Sequence, residues 1–340
     1  MANAMFSPKD FKAFVIEEAT TGTSPAITSG LFQLDVDSVA FPSLNPNMVM
    51  DVRTSTGRVL AAQDFFQDNE HREVSVTLSG IYHKDGGHNM LLQSVCGNAL
   101  TPGALQDVSL AYNATGVSGA YGVAEGDKTF TLVLAAPDTT DGVNIVIPGC
   151  KCSEFSITAD MGTNGGMYMF SATISSGKNP NLANEDTPST TSGGAIYAGS
   201  DKLFMSGLSA QAVGGVSSNI VLNNFGVTIS SPCVYTGTSS TGYTAYGRAS
   251  EINVTANAQV KYDAATKGLL NSFNTQVAGS HLTANALTMT QTSATDCSIS
   301  LPAAILTNVA LSEGDVMMMD VEMKGVGVGS GNVITFDLAS

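Results

Sequence analysis

The feature that most constrains this chain is that part of it is written twice. Glu73–Val95 (EVSVTLSGIYHKDGGHNMLLQSV) lies over Glu251–Phe273 (EINVTANAQVKYDAATKGLLNSF) without a gap, at an offset of 178 residues. Glu73/Glu251, Val76/Val254, Thr77/Thr255, Asp85/Asp263, Leu91/Leu269, Leu92/Leu270 and Ser94/Ser272 are identical. The pattern agrees further than the identities do. Ile252, Val254, Ala256, Ala258 and Val260 alternate with polar residues, the period of a strand with one dry and one wet face. Val74, Val76, Leu78, Gly80 and Tyr82 hold the dry positions in the first copy. Each strand runs into an Asp, Asp85 or Asp263, whose short carboxylate suits a helix N-cap. Leu91, Leu92 and Val95, and then Leu269, Leu270 and Phe273, follow at helical spacing. Each copy is expected to read strand, cap and short amphipathic helix packed on a sheet.

The repeat extends both ways. Upstream, Leu31–Pro42 parallels Asn224–Tyr235. Downstream, Asn144–Ser175 parallels Ser298–Lys324: each begins with an alternating strand ending at a Pro (Pro148, Pro302), then a second strand, a Gly-containing turn and a third strand. Residues 1–30 read as an N-terminal arm containing a strand at Phe11–Ile16, residues 31–175 as a first unit, 176–219 as a linker or extended arm, and 220–340 as a second unit. Residues 111–128 read as a Gly-rich loop.

Composition narrows the function. Twenty-nine acids against 14 bases give a net charge of -15, the wrong sign for neutralising phosphates. Such a surface repels a polyanion and lets one pass without adhering. Only 13% of residues are charged, which fits either a surface covered by neighbouring subunits or a long, neutral, loop-rich one. The N-terminus lacks a basic segment followed by an apolar run, and no apolar stretch reaches a membrane span. Five irregularly spaced cysteines make no disulfide framework, so a reducing cytoplasm is the expected site of synthesis.

No catalytic, cofactor or metal site is expected. Cys150 and Cys152 read as strand cysteines sharing a face, without the two further ligands of a metal site. His71, His83 and His88 are close in sequence but are not expected to converge. Gly325, Gly327, Gly329 and Gly331 precede a strand, Asn332–Leu338, where a phosphate loop would precede a helix. In Val316–Lys324, one face carries Val316, Met318, Asp320, Glu322 and Lys324 and the other Met317, Met319, Val321 and Met323.

A hairpin, a lone short helix and a closing run LPAAILTNVALSEGDVMMMDVEMKG resemble the major tail tube proteins of long-tailed bacteriophages, over Leu31–Ser175 and Asn224–Ala339. The resemblance implies a mainly β protein with two tandem sandwich-like or barrel-like tube domains, each flanked by one short helix. It implies self-association into a ring, a trimer with pseudo-sixfold symmetry in members with two domains, and stacking of rings into a hollow tail tube through which DNA is ejected. Tape-measure, tail terminator and tail tip proteins are the implied partners, and the virion tail, assembled in the host cytoplasm, the implied location. Asp320, Glu322 and Glu154, the last taken as lying on the corresponding strand of the first copy, are expected to line the bore. Two rivals differ in class: a β-rich adhesin-like or baseplate protein, and an enzyme on a β-sandwich. The absence of Trp and of an acid/base pair speaks against the enzyme.

Overall fold

The computed structural model describes residues 6–42, 47–50, 62–68, 73–84, 86–101, 107–111, 129–137, 143–191, 202–217, 220–237, 242–248, 251–275, 282, 284–291, 297–328 and 331–338. The protein is mainly β, as expected, with two α-helices among the described residues. The first half contains β1 (Lys12–Glu17), β2 (Phe32–Leu34), β3 (Val36–Ala40), the hairpin β4 (Asn47–Met50) and β5 (Phe65–Asp68), β6 (Val74–Ile81), α1 (Gly86–Cys96), β7 (Val108–Ala111), β8 (Phe130–Ala135), β9 (Asn144–Asp160), β10 (Met169–Ser176) and β11 (Asn181–Asn184). The second contains β12 (Leu208–Ala212), β13 (Leu222–Ser230), the hairpin β14 (Cys233–Thr236) and β15 (Ala245–Arg248), β16 (Asn253–Lys261), α2 (Lys267–Asn274), β17 (Asn285–Gln291), β18 (Ser298–Ser312), β19 (Met318–Gly325) and β20 (Asn332–Asp337).

All strands but the two hairpins join one 16-stranded sheet. Its connections repeat. In the first half the order is β3, β6, β10, β9; in the second it is β13, β16, β19, β18, antiparallel throughout. β8 pairs with β9 as β17 does with β18, and β1 with β8 as β12 does with β17. The β4–β5 and β14–β15 hairpins interrupt equivalent connections. The halves therefore share one topology.

They meet chiefly along the β9–β13 seam, and again where β20 of the second half pairs with β7 of the first. β9 is long enough to take two neighbours on each edge: β11 then β10 on one, β8 then β13 on the other. The β9–β13 ladder runs from Asn224 opposite Asp160 to Ser230 opposite Glu154. The seam is reinforced from above, because Arg248 on β15 donates through Nη1 to the carbonyls of Cys152 (2.8 Å) and Ser231 (2.7 Å), and through Nη2 to that of Ser94 (2.6 Å). Two of these charge-assisted bonds, to Cys152 and Ser94, bind the second half's hairpin to β9 and α1 of the first, and the third ties it to its own half at Ser231.

Several sequence expectations need correction. Pro148 and Pro302 do not end their strands; β9 and β18 run through them. Each Pro sits where the ladder skips, between Ile147 and Cys150 and between Leu301 and Ala304. Such an irregular position requires no N–H, so Pro is tolerated there. The upstream alignment is also out of register. Through their shared partners, Val39 corresponds to Val227 and Ala40 to Thr228. Residues 1–30, read as an arm, contribute β1, which pairs with both β2 and β8. Glu18 anchors it: this buried carboxylate accepts from the hydroxyls of Thr129 and Thr131 and from the amides of Gly22 and Gly149. Four donors offset the cost of burying the charge. Residues 176–219, read as a linker, contribute β11 and β12 to the sheet. Residues 112–128 of the expected loop lie outside the described residues.

Gly80 shows how tightly β3 is laid on. A Cβ there would overlap the Asp35 carbonyl and stand 2.7 Å from Val36 Cα. The equivalent Ala258 carries its methyl because β13 pairs there regularly, whereas β3 is bulged between Val36 and Ser38. Gly80→Ala is expected to lower unfolding free energy by about 2–3 kcal/mol in chemical denaturation, an overpacking cost against rigid backbone. Gly268→Ala on α2, where a methyl meets nothing within 4 Å, should raise it by about 0.5–1 kcal/mol.

Candidate functional site

Strict alternation gives the central eight strands two unlike faces. On one lie Val76, Leu78, Phe170, Ile157, Val227, Ala256, Val321 and Val309, all buried in a single apolar cluster that also holds α1, β1, β2 and β8. The other face is nearly all Ser, Thr and Asn. One row across it reads Ser38, Ser79, Ser171, Ser156, Thr228, Thr255 and Lys324. The next reads Met169, Thr158, Gly226, Asn257, Glu322 and Asn308. The rows cross the seam without a break, so the two halves present one continuous polar wall. Glu154, Asp160, Asp320 and Glu322 are among its carboxylates, and Lys261 and Lys324 are exposed cations on it.

The three residues expected to line a bore all stand on this wall. Asp320 is half-buried and accepts from Gln259 Nε2 at 2.8 Å, while Glu322 and Glu154 are exposed. Met319, Val321 and Met323 point into the core as the alternation required, but Met317 precedes the strand and is exposed. Glu154 needs a correction: it is on β9, the counterpart of β18, and not on the counterpart of β19. Shared partners make Met169 and Ser171 of β10 equivalent to Asp320 and Glu322. The similar hairpins invited a shift of one strand.

The helix starts were only partly legible. Asp85 lies outside the described residues. Asp263 is not the N-cap of α2; Thr266 occupies that position. Asp263 instead heads the preceding turn, where its Oδ1 accepts from the amides of Ala265 (2.9 Å) and Thr266 (3.2 Å). These bonds favour the ionised form and lower its pKa.

His83 and His88, not expected to converge, do. Their rings stack with centroids 5.4 Å apart. Asp35, at the foot of β3, ties them: its carboxylate is 2.8 Å from His83 Nε2 and its amide donates to His88 Nε2 at 3.3 Å. Sequence spacing could not show this, because Asp35 arrives from a distant strand. His71 and His281 lie outside the described residues. The described cysteines are free thiols. Burial pushes Cys96 and Cys297 up to about 12, and raises Cys150 and Cys152 as well, which disfavours reactive thiolates. Among the described residues no three His, Cys, Asp or Glu are grouped to hold a metal ion. The chain matches no protein-family model and no curated protein.

His88 makes a pH prediction. Its ring is fully buried, and burial, then the facing His83, lowers its pKa well below the ordinary 6.5. The unfolded chain takes up a proton as pH falls through about 6.5 and the folded ring does not. Its contribution is therefore complete above that pH and is lost below it, with a slope of at most about 1.4 kcal/mol per pH unit. Denaturation from pH 7.5 to 5 should show this slope in the native protein and a shallower one in His88→Phe.

Proposed function

We propose that this chain is a virion structural protein: the subunit of a phage-type tail tube, which associates with copies of itself into rings that stack around a hollow channel. One observation carries the reading. Two units of equal topology are joined side by side into a single sheet with a polar face, and the sheet ends in an unpaired strand edge on each side. Among the described residues, β3 pairs with β6 alone, and β18 beyond Ala304 pairs with β19 alone. A body that already repeats once, and is open at both ends of the repeat, is suited to repeat further between chains.

The polar wall supports the channel role. Ser, Thr and Asn side chains are neutral and short, and the few carboxylates repel phosphate, so DNA finds little to hold it. In this reading the wall, with Asp320, Glu322 and Glu154, faces the bore, and three chains close six units into a ring. The resemblance supplies that ring size, the tail location and the tape-measure, terminator and tip partners. The reading assigns the chain no reaction. Among the described residues no helix is long and apolar enough to cross a membrane.

Negative-stain microscopy of concentrated protein tests the reading. It predicts rings or hollow filaments of constant diameter; dispersed particles of single-chain mass at every concentration and salt would overturn it. Asp320→Lys with Glu322→Lys is expected to leave assembly intact and to slow DNA ejection from particles built with it, measured by dye-monitored release. Unchanged ejection would remove these side chains from the bore.

A further inference from the structure

Resting on the reading as a self-assembling subunit, we propose that the joint between chains copies the β9–β13 seam within the chain: β3 of one copy pairs antiparallel with the C-terminal half of β18 of a second copy. Shared partners fix the register. Within the chain, Gly226, Val227 and Thr228 face Thr158, Ile157 and Ser156. Their equivalents are Ser38, Val39 and Ala40 on one side. On the other they are Ala310, Val309 and Asn308, reached through Asp320, Val321 and Glu322 of β19. The joint therefore sets Ser38 against Ala310, Val39 against Val309 and Ala40 against Asn308.

Three further features agree on a second copy as the occupant. First, a groove separates the 3-10 turn Pro8–Asp10 from β3, lined by Ser7, Pro8, Phe11, Val36 and Val39 among others. In the second half, the 3-10 turn Met205–Gly207 precedes β12 as Pro8–Asp10 precedes β1. That turn is engaged: the Met205 amide donates to the Gly166 carbonyl, and the Tyr168 amide to that of Leu203, at the β9–β10 turn of the first half. By equivalence, the groove at Pro8–Asp10 is the seat for the β18–β19 turn of a second copy.

Second, that β18–β19 turn, equivalent to the β9–β10 turn, leaves Leu311, Val316 and Met317 exposed. Third, the two hairpins differ in what they touch. β14–β15 reaches across the seam, with Arg248 on Ser94 and Cys152 and the Tyr243 amide donating to Gly177. The equivalent β4–β5 instead exposes Met50, Phe65 and Phe66. Each of these three surfaces engaged at the β9–β13 seam thus has a twin at the margins that is exposed among the described residues, and the twins fall on opposite margins as one joint requires.

A disulfide scan tests this. Ser38 is exposed and Ala310 half-buried, and directly opposed strand positions bring Cβ atoms to about 4.5–5.5 Å, near disulfide range. Ser38→Cys with Ala310→Cys, oxidised at assembling concentration, should give a ladder of covalent oligomers on non-reducing gels. Mixing the two single variants should give dimers and nothing larger. Ser38→Cys with Asn308→Cys, two residues out of register, should link at least tenfold more slowly. Rings or tubes by microscopy with no in-register link would overturn the proposed joint and leave self-assembly standing. Absence of both assembly and cross-links would overturn both. Equal linking by the two registers would also overturn the joint.

Discussion

The architecture depends on β9, a strand long enough to belong to both halves. Its N-terminal part is held between β8 and β11, its C-terminal part between β10 and β13. Shorten it and β13 loses its partner in the first half, leaving the short β7–β20 ladder to join the two units. The buried face of the seam sets Phe155 and Ile157 against Ile229 and Val227. Cross-strand pairs contribute about 0.2–1 kcal/mol each, so the seven-residue ladder is worth a few kcal/mol before Arg248 is added. In the proposed joint between chains, only Ser38, Val39 and Ala40 would be matched without a bulge, which limits strand pairing there to about 0.6–3 kcal/mol. Pairing on that scale sets register and not affinity. Affinity then rests on the exposed apolar side chains nearby, since burying a Phe such as Phe65 or Phe66 stabilises by about 1.5–3 kcal/mol.

The open edges are also guarded. A bulge with exposed Asp37 interrupts β3, and a second bulge breaks β18 between Leu306 and Asn308. Bulges and charge discourage indiscriminate strand addition. A net charge of -15 adds a screened, nonspecific repulsion between copies. These devices select against wrong partners while leaving one short complementary stretch, which is the economy expected of a specific joint.

The repeated core was legible because its residues alternate without interruption: Val74, Val76 and Leu78, and Val254, Ala256, Ala258 and Val260, are buried as read. What failed shares a cause, dependence on partners distant in sequence. β3 shares with β13 only the identity Val39/Val227 and gains a bulge, so its register followed β6 and not its own pattern. The strand at Phe11–Ile16 was legible, but its pairing with β2 and β8 and its anchoring by Glu18 to Thr129, Thr131 and Gly149 were not. Pro148 and Pro302 looked like terminators because local rules do not show where a ladder skips. His83 and His88 meet through Asp35. The polar wall was visible strand by strand in Thr255, Asn257 and Gln259, but its continuity across the seam required the pairing of β9 with β13, two strands from different copies.

A cryo-electron microscopy reconstruction of the assembled protein addresses the central claim most directly. The account predicts that the contact between chains superposes on the β9–β13 contact within each chain, so that covalent and noncovalent joints alternate around one ring with near-equal rotation. An assembly whose chains meet through other surfaces, or a ring in which β3 and β18 remain unpaired, would contradict it.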